Sequence, residues 1–286
     1  MEDHSKIVME AVRAADRDRY LAGLYAPADK RDAVFSLYAF NAEIAGVRDR
    51  IHEALPGEVR LQWWRDVITA DSGEAAAGHP LAEALKRTIA AHNLPKQAFD
   101  AYLEARIFDL YNDPMPSRTD LEGYCGETAS ALILLSAMVL DAEQAPNFAE
   151  LAGRAGCAQA MTGLLLLLPL HRSRGQCFIP ADILAAVGTS PEEFVAGNGG
   201  PGAEHAVCAM IALARDHLAA FRHGAGALPA SLRPAFLPLS LTDAYLTRME
   251  KPGFSPLKQP ARISDWRRHW LLLSHATRGW RPIQAS

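Results

Sequence analysis

The chain lacks the usual signatures of several protein classes. It has only four cysteines, Cys125, Cys157, Cys177 and Cys208, and no two stand at CxxC spacing. That excludes the common zinc knuckles and thioredoxin-type motifs, and the cysteines read as reduced core residues. Basic residues are not in excess: the net charge is -4 and the pI about 6.2, so a nucleic-acid partner is not expected. The longest apolar run, Leu164 to Leu170, contains Pro169 and falls far short of the ~20 residues of a membrane span. Met1-Glu2-Asp3-His4 is acidic and without an apolar h-region, so neither a signal nor a transit peptide is expected. The chain reads as a soluble, cytoplasmic protein. Alternating apolar–polar runs of strand length and internal repeats are missing as well.

Helical periodicity dominates what remains. Val8, Ala11, Val12 and Ala15 recur at three- and four-residue spacing within a helix expected over Ile7–Tyr25. A second is expected over Arg31–His52, then Glu58–Ile68, Pro80–His92, Lys96–Tyr111, Asp120–Leu140, Phe148–Leu167, Pro180–Val187, Pro191–Ala196, Ala203–His223, Arg233–Glu250 and Ser264–Trp280. Leu94-Pro95, Asp113-Pro114-Met115-Pro116 and Gly188-Thr189-Ser190-Pro191 punctuate them. Ser190 before Pro191, with Glu192 and Glu193 next, has the form of an N-cap and first turn. The expectation is an all-α, single-domain helical bundle over residues 1–286, with Gly197–Gly202 as its weakest join.

Three segments carry more information. Tyr38-Ala39-Phe40-Asn41-Ala42-Glu43 leads through Ala45-Gly46 to Asp49 within one expected helix. In Arg60-Leu61-Gln62-Trp63-Trp64-Arg65-Asp66 the two tryptophans point about 100° apart, so one partner does not bury both. In Leu164-Leu165-Leu166-Leu167-Leu168-Pro169-Leu170-His171-Arg172-Ser173-Arg174-Gly175, an all-round apolar helix gives way at a proline to a basic turn.

The order of these pieces resembles the squalene/phytoene synthase family of head-to-head prenyl synthases. The matching residues are Lys30-Arg31 with Leu37–Phe40, Leu61–Asp66, Leu94-Pro95, Tyr124-Cys125, and Arg174-Gly175 with Phe178-Ile179-Pro180. The resemblance runs from about Arg19 to Glu250. It implies the isoprenoid-synthase helical fold and, in active members, ionisation of an allylic diphosphate by Mg²⁺ held on two aspartate-rich helices. Here the first acidic motif falls on Ala45-Gly46-Val47-Arg48-Asp49, where only Asp49 is acidic. The second falls on Leu167 to His171 and has no carboxylate. Glu127 stands where the family usually has a basic or neutral residue. Glu43 and Asp49, six residues apart, lie roughly 240° around a helix and do not converge.

These departures resemble the branch that includes mitochondrial NADH dehydrogenase (complex I) assembly factor 6. That implies no catalytic residue, no metal and no cofactor, and respiratory-complex subunits as partners; the lack of an expected transit peptide suggests a bacterial relative of the branch. Mg²⁺ enters only under the alternative of active prenyl transfer; a second alternative is an isoprenoid or lipid carrier. Candidate pocket or anion-binding residues are Asn41, Glu43, Asp49, Trp64, His171, Arg174 and Tyr245, with Tyr25 a further candidate for lining an apolar cavity. His171 and Arg174 have the chemistry to take a phosphate-like anion. Trp266, Arg267, Arg268 and Trp270 mix aromatic and basic character in one helix. That pattern suits peripheral contact with the inner membrane, although the same helix could dock its apolar residues inward.

Overall fold

The computed structural model describes residues 2–51, 53–70 and 74–280. All regular elements among them are helical. In chain order they are α1 (Glu2–Ala15), α2 (Arg17–Gly23), α3 (Ala28–Ala45), α4 (Val47–Arg50), α5 (Ala54–Thr69), α6 (Pro80–Ala91), α7 (Lys96–Ile107), α8 (Arg118–Cys125), α9 (Ala131–Leu140), α10 (Ala149–Leu166), α11 (Leu168–Ser173), α12 (Ala181–Ala186), α13 (Pro191–Ala196), α14 (Gly200–Gly224), α15 (Arg233–Phe236), α16 (Thr242–Met249) and α17 (Asp265–Arg278). The chain forms two compact units. One comprises Met1–Tyr111, Ala131–Glu150 and Leu228–Pro238; the other comprises Asn112–Ser130, Leu151–Ala227 and Leu239–Ser286. The expected weak join at Gly197–Gly202 falls inside the second unit, and Gly200-Pro201-Gly202 already form the first turn of α14.

The first unit is built around α3, which packs on α1, α6 and α9. Its apolar residues Val34, Phe35, Leu37, Tyr38, Phe40 and Ile44 are buried. At the centre, Phe40 meets Trp64 edge-on at 5.4 Å, Phe99 at 5.6 Å and Tyr102 at 5.2 Å, arrangements that aromatic quadrupoles favour. Ser36 donates to Thr88 across α3 and α6 at 2.8 Å, so two buried hydroxyls satisfy each other.

The second unit centres on α14, with α12 and α16 against it and α11 on α13. Ser190 caps α13 as its sequence announces: it accepts from Glu193 N, and the Glu193 carboxylate accepts from Ser190 N, each at 3.2 Å. A π-helical turn, Gly126–Ser130, follows α8. At Gly156 of α10 an added Cβ would lie 2.4 Å from Ser130 Cα, so only glycine lets the two backbones approach this closely.

Several expected helices are broken, each for a local reason. Asp16 splits the first by accepting a hydrogen bond from Arg19 N (2.8 Å), which starts α2. Gly46 ends α3 and separates α4; His52, the expected end of that helix, lies outside the described residues. Pro238 breaks the span expected as Arg233–Glu250 into α15, which Pro234 opens in its first turn, a 3₁₀ stretch Leu237–Leu241 and α16. Pro169 does not lead into a turn. It occupies the first turn of α11, where its missing N–H costs nothing, so His171 is helical. Nor is the leucine run buried on all sides, because Leu167 and Leu170 are exposed. Cys125, Cys157 and Cys177 are buried as expected, but Cys208 is exposed on α14. The helix Arg118–Leu140 is long and apolar enough to cross a membrane, yet most of it is buried in the chain's own packing, as in a core helix.

Candidate functional site

In the first unit, α3 carries Asn41 and Glu43 into polar networks made of the unit's own residues. Asn41 is buried, and its Oδ1 accepts from the Tyr102 hydroxyl at 2.8 Å. Tyr102 in turn accepts from Arg106 Nε at 3.2 Å, and Arg106 pairs with Asp109 at 2.9 Å. Nearby, burial pushes the Tyr38 phenol up to about 12, with Arg19 opposing and Asp16 reinforcing the shift. Arg19 is itself bound to Asp16 at 2.5 Å. Burial also raises Tyr102, against the opposing Arg106.

Glu43 is held by two guanidiniums, Arg60 at 2.9 Å and Arg50 at 3.0 Å. Arg60 stacks over the Trp63 ring at 4.5 Å and reaches His79 Nε2 at 3.2 Å. His79 packs against both Trp63 and Trp64, and its Nδ1 accepts from Ala82 N at the start of α6. A neutral imidazole has a single accepting nitrogen, so Arg60 and Ala82 compete for one lone pair. Burial first, and then the Arg60 charge, lower the His79 pKa. Trp64 is fully buried and its indole N–H has no acceptor, whereas Trp63 is half-buried, as their 100° offset requires. The structure thus joins Glu43 and Trp64 through Arg60 and His79. Asp49 lies beyond the Gly46 break, exposed on α4. Tyr25 is half-buried in the turn after α2.

In the second unit, His171 is buried on α11 with its ring 4.6 Å from Phe178, which in turn packs on Tyr124. Arg174 is half-buried at the C-terminal cap of the same helix. The basic neighbour Arg172 is committed structurally: its Nε donates to Phe194 O at 3.0 Å and its guanidinium lies over the Phe194 ring. Tyr245 is buried on α16, and its hydroxyl accepts from Arg268 of α17 at 3.2 Å.

Mg²⁺ does not fit the residues at the two motif positions. Ala45 and Gly46 offer no ligand, and Leu167 is an exposed aliphatic side chain. The nearest carboxylate of α3, Glu43, is neutralised by Arg50 and Arg60. Mg²⁺ needs several oxygen ligands, and among the described residues no group of three or more His, Cys, Asp or Glu side chains is placed to hold a metal.

Sequence reasoning singled out the segment that begins at Arg60 but missed its pairing with Glu43, 17 residues away, and missed His79, 36 residues away, which carries no motif of its own. It also missed the Asp16–Arg19 and Arg106–Asp109 pairs. Their i,i+3 spacing was a readable signal.

Residues 12–271 match the squalene/phytoene synthase family model. The NADH dehydrogenase (ubiquinone) complex I assembly factor 6 of Rattus norvegicus is 30% identical over 246 residues, covering 86% of this chain and 74% of that protein. A presqualene diphosphate synthase of Sinorhizobium fredii is 24% identical over 265 residues, covering 90% and 92% respectively. Among solved structures, a dehydrosqualene synthase with bound ligand superposes with a TM-score of 0.82 at 16% identity, over 96% of each chain. That similarity establishes the fold.

Proposed function

Because the chain belongs to the squalene/phytoene synthase family, we propose that it is a member that has lost Mg²⁺-dependent prenyl transfer and serves in assembling a respiratory membrane complex of the complex I type. The observation that carries this reading is the state of the two motif positions. Ala45, Gly46 and Leu167 stand where the family's acids would, and Glu43 is sequestered by Arg50 and Arg60. Without several carboxylates, a diphosphate leaving group has nothing to hold the cations that would stabilise its departure. The 30% identity with assembly factor 6 supports the assembly role. The same reading takes residues 1–286 as one functional domain, in line with a family match over 12–271. It places the protein in the cytoplasm of a bacterium, peripheral on the inner membrane.

Asn41, Glu43 and Asp49 in one unit, and His171, Arg174 and Tyr245 in the other, remain the proposed ligand- or partner-facing residues; Trp64, fully buried against Phe40 and His79, serves the core instead. A carrier of isoprenoid or other lipid is the second reading, favoured by the exposure of Leu167 and Leu170 in an otherwise apolar segment. Mass spectrometry of lipid extracted from the purified protein tests it, and a clean protein counts against it.

The test of the assembly role is deletion of the gene in its native host, with complex I followed by native gel and by NADH oxidation in membranes. Assembled complex I should fall while the other respiratory complexes hold their level, and the wild-type gene should restore it. Normal complex I in the deletion strain would contradict the assembly role.

A further inference from the structure

We propose that α17 is a lipid-seating element that lies flat on an anionic bilayer surface through Trp266, Trp270 and Leu273. This rests on the peripheral placement proposed above and identifies the surface and its ligand. The three residues fall at i, i+4 and i+7, on one face of the helix. They are 78%, 53% and 47% exposed, the reverse of an ordinary surface helix, whose outer face is polar.

The exposure is one-sided, because the opposite side of α17 is anchored at several points. Leu272 is completely buried. His275 stacks on Trp280 at 5.2 Å, and Trp280 meets Phe221 edge-on at the same distance. At the other end Arg268 binds both Asp265 at 2.6 Å and the Tyr245 hydroxyl, and Ser264 caps the helix by accepting from Arg267 N. The helix is held at these points, and its tryptophans face outward.

The surrounding charge selects the occupant. Arg262, Arg267 and Arg278 are exposed around the apolar stripe, while the single acid of the helix, Asp265, is paired with Arg268. In a chain of net charge -4 this is a local positive belt, and it complements anionic headgroups. Tryptophan favours the headgroup boundary, where its ring meets acyl chain and its N–H meets water. Seven residues at about 1.5 Å rise span roughly 10 Å. Such a stripe is too small for the ~800 Å² per partner that a stable protein–protein interface buries, yet it suffices for a helix inserted to headgroup depth.

The experiment uses the whole purified chain with vesicles of phosphatidylcholine alone or with about a third phosphatidylglycerol, read by co-sedimentation and by quenching of tryptophan with brominated lipid. The wild type should bind the anionic vesicles and show quenching. The Trp266→Ala, Trp270→Ala double variant should lose roughly tenfold or more in partitioning without a change in melting temperature. Arg262→Glu or Arg267→Glu should cost at least about fivefold each on anionic vesicles. Leu55→Ser, at an exposed apolar site on α5, should bind like wild type. Equal binding by the double-tryptophan variant, or no binding by the wild type, overturns the proposal. So does concentration-dependent self-association that the double variant abolishes, since the occupant would then be a second copy. Failed vesicle binding leaves the assembly role standing on the deletion experiment, and normal complex I in the deletion strain leaves the lipid surface standing.

Discussion

Two tryptophan pairs sit in this molecule and meet opposite fates. Trp63 and Trp64 are adjacent on α5; Trp64 is fully buried against Phe40 and His79, and Trp63 is covered by Arg60. Trp266 and Trp270 are one turn apart on α17, and both face outward. Adjacent residues diverge by about 100°, so a helix that packs on one side buries one and half-covers the other. Residues four apart share a face, so a single packing decision exposes or buries both. The first pair therefore belongs to stability and the second to contact with something outside the chain. The first pair also neighbours a histidine whose pKa is depressed, His79, whereas the depressed histidine of α17, His275, stacks on Trp280 rather than on the outward pair.

The largest expected effect is at Trp64. Trp64→Ala empties the space beside Phe40 and should cost about 3–5 kcal/mol, which calorimetric or denaturant unfolding would read directly. Trp64→Phe should cost about 1–1.5 kcal/mol, because it keeps the aromatic contact and removes an N–H that has no acceptor. An equal loss for both variants would mean that the indole N–H is satisfied and matters.

A smaller effect follows from pH. Burial lowers the pKa of His79, His92 and His275, with Arg60, Lys30 and Arg222 respectively adding to it. The unfolded chain then binds protons more readily than the folded one as pH drops through about 6.5, so stability should decline between pH 7 and 5.5 and be level above 7. Melting temperatures across that range would show it. The His275→Asn variant, which removes one titrating group from the docked side of α17, should show a shallower decline. A melting temperature that rises on acidification would contradict the assignment.

The smallest stability effect is expected at the outward pair. Trp266→Ala with Trp270→Ala should change unfolding free energy by no more than about 1 kcal/mol, since both side chains are largely exposed. A loss comparable with that at Trp64 would break the contrast between the two pairs.

Much of this was legible in the sequence. The helical spacing and the Ser190 cap depend on local pattern and could be read directly; the missing acids at Ala45, Gly46 and Leu167 were readable only through the resemblance to the family. The one-sided burial of Trp63 and Trp64 followed from the helical angle alone. The breaks at Asp16 and Gly46 were not legible, because a helix end of one residue depends on whether a side chain finds a nearby N–H or a glycine relaxes. The Glu43–Arg60–His79 cluster was not legible because its members meet only after α5 and α6 pack on the first unit's core. Which face of α17 would look outward was equally hidden, since it is fixed by where Leu272 and Trp280 find partners.

The most direct measurement is diphosphate release from farnesyl diphosphate in the presence of Mg²⁺, with an active synthase of the family run in parallel. The lack of carboxylates at Ala45, Gly46 and Leu167 predicts release no faster than in buffer while the control turns over. Release that scales with the amount of this protein, and stops when Mg²⁺ is chelated, would contradict the loss of prenyl-transfer chemistry.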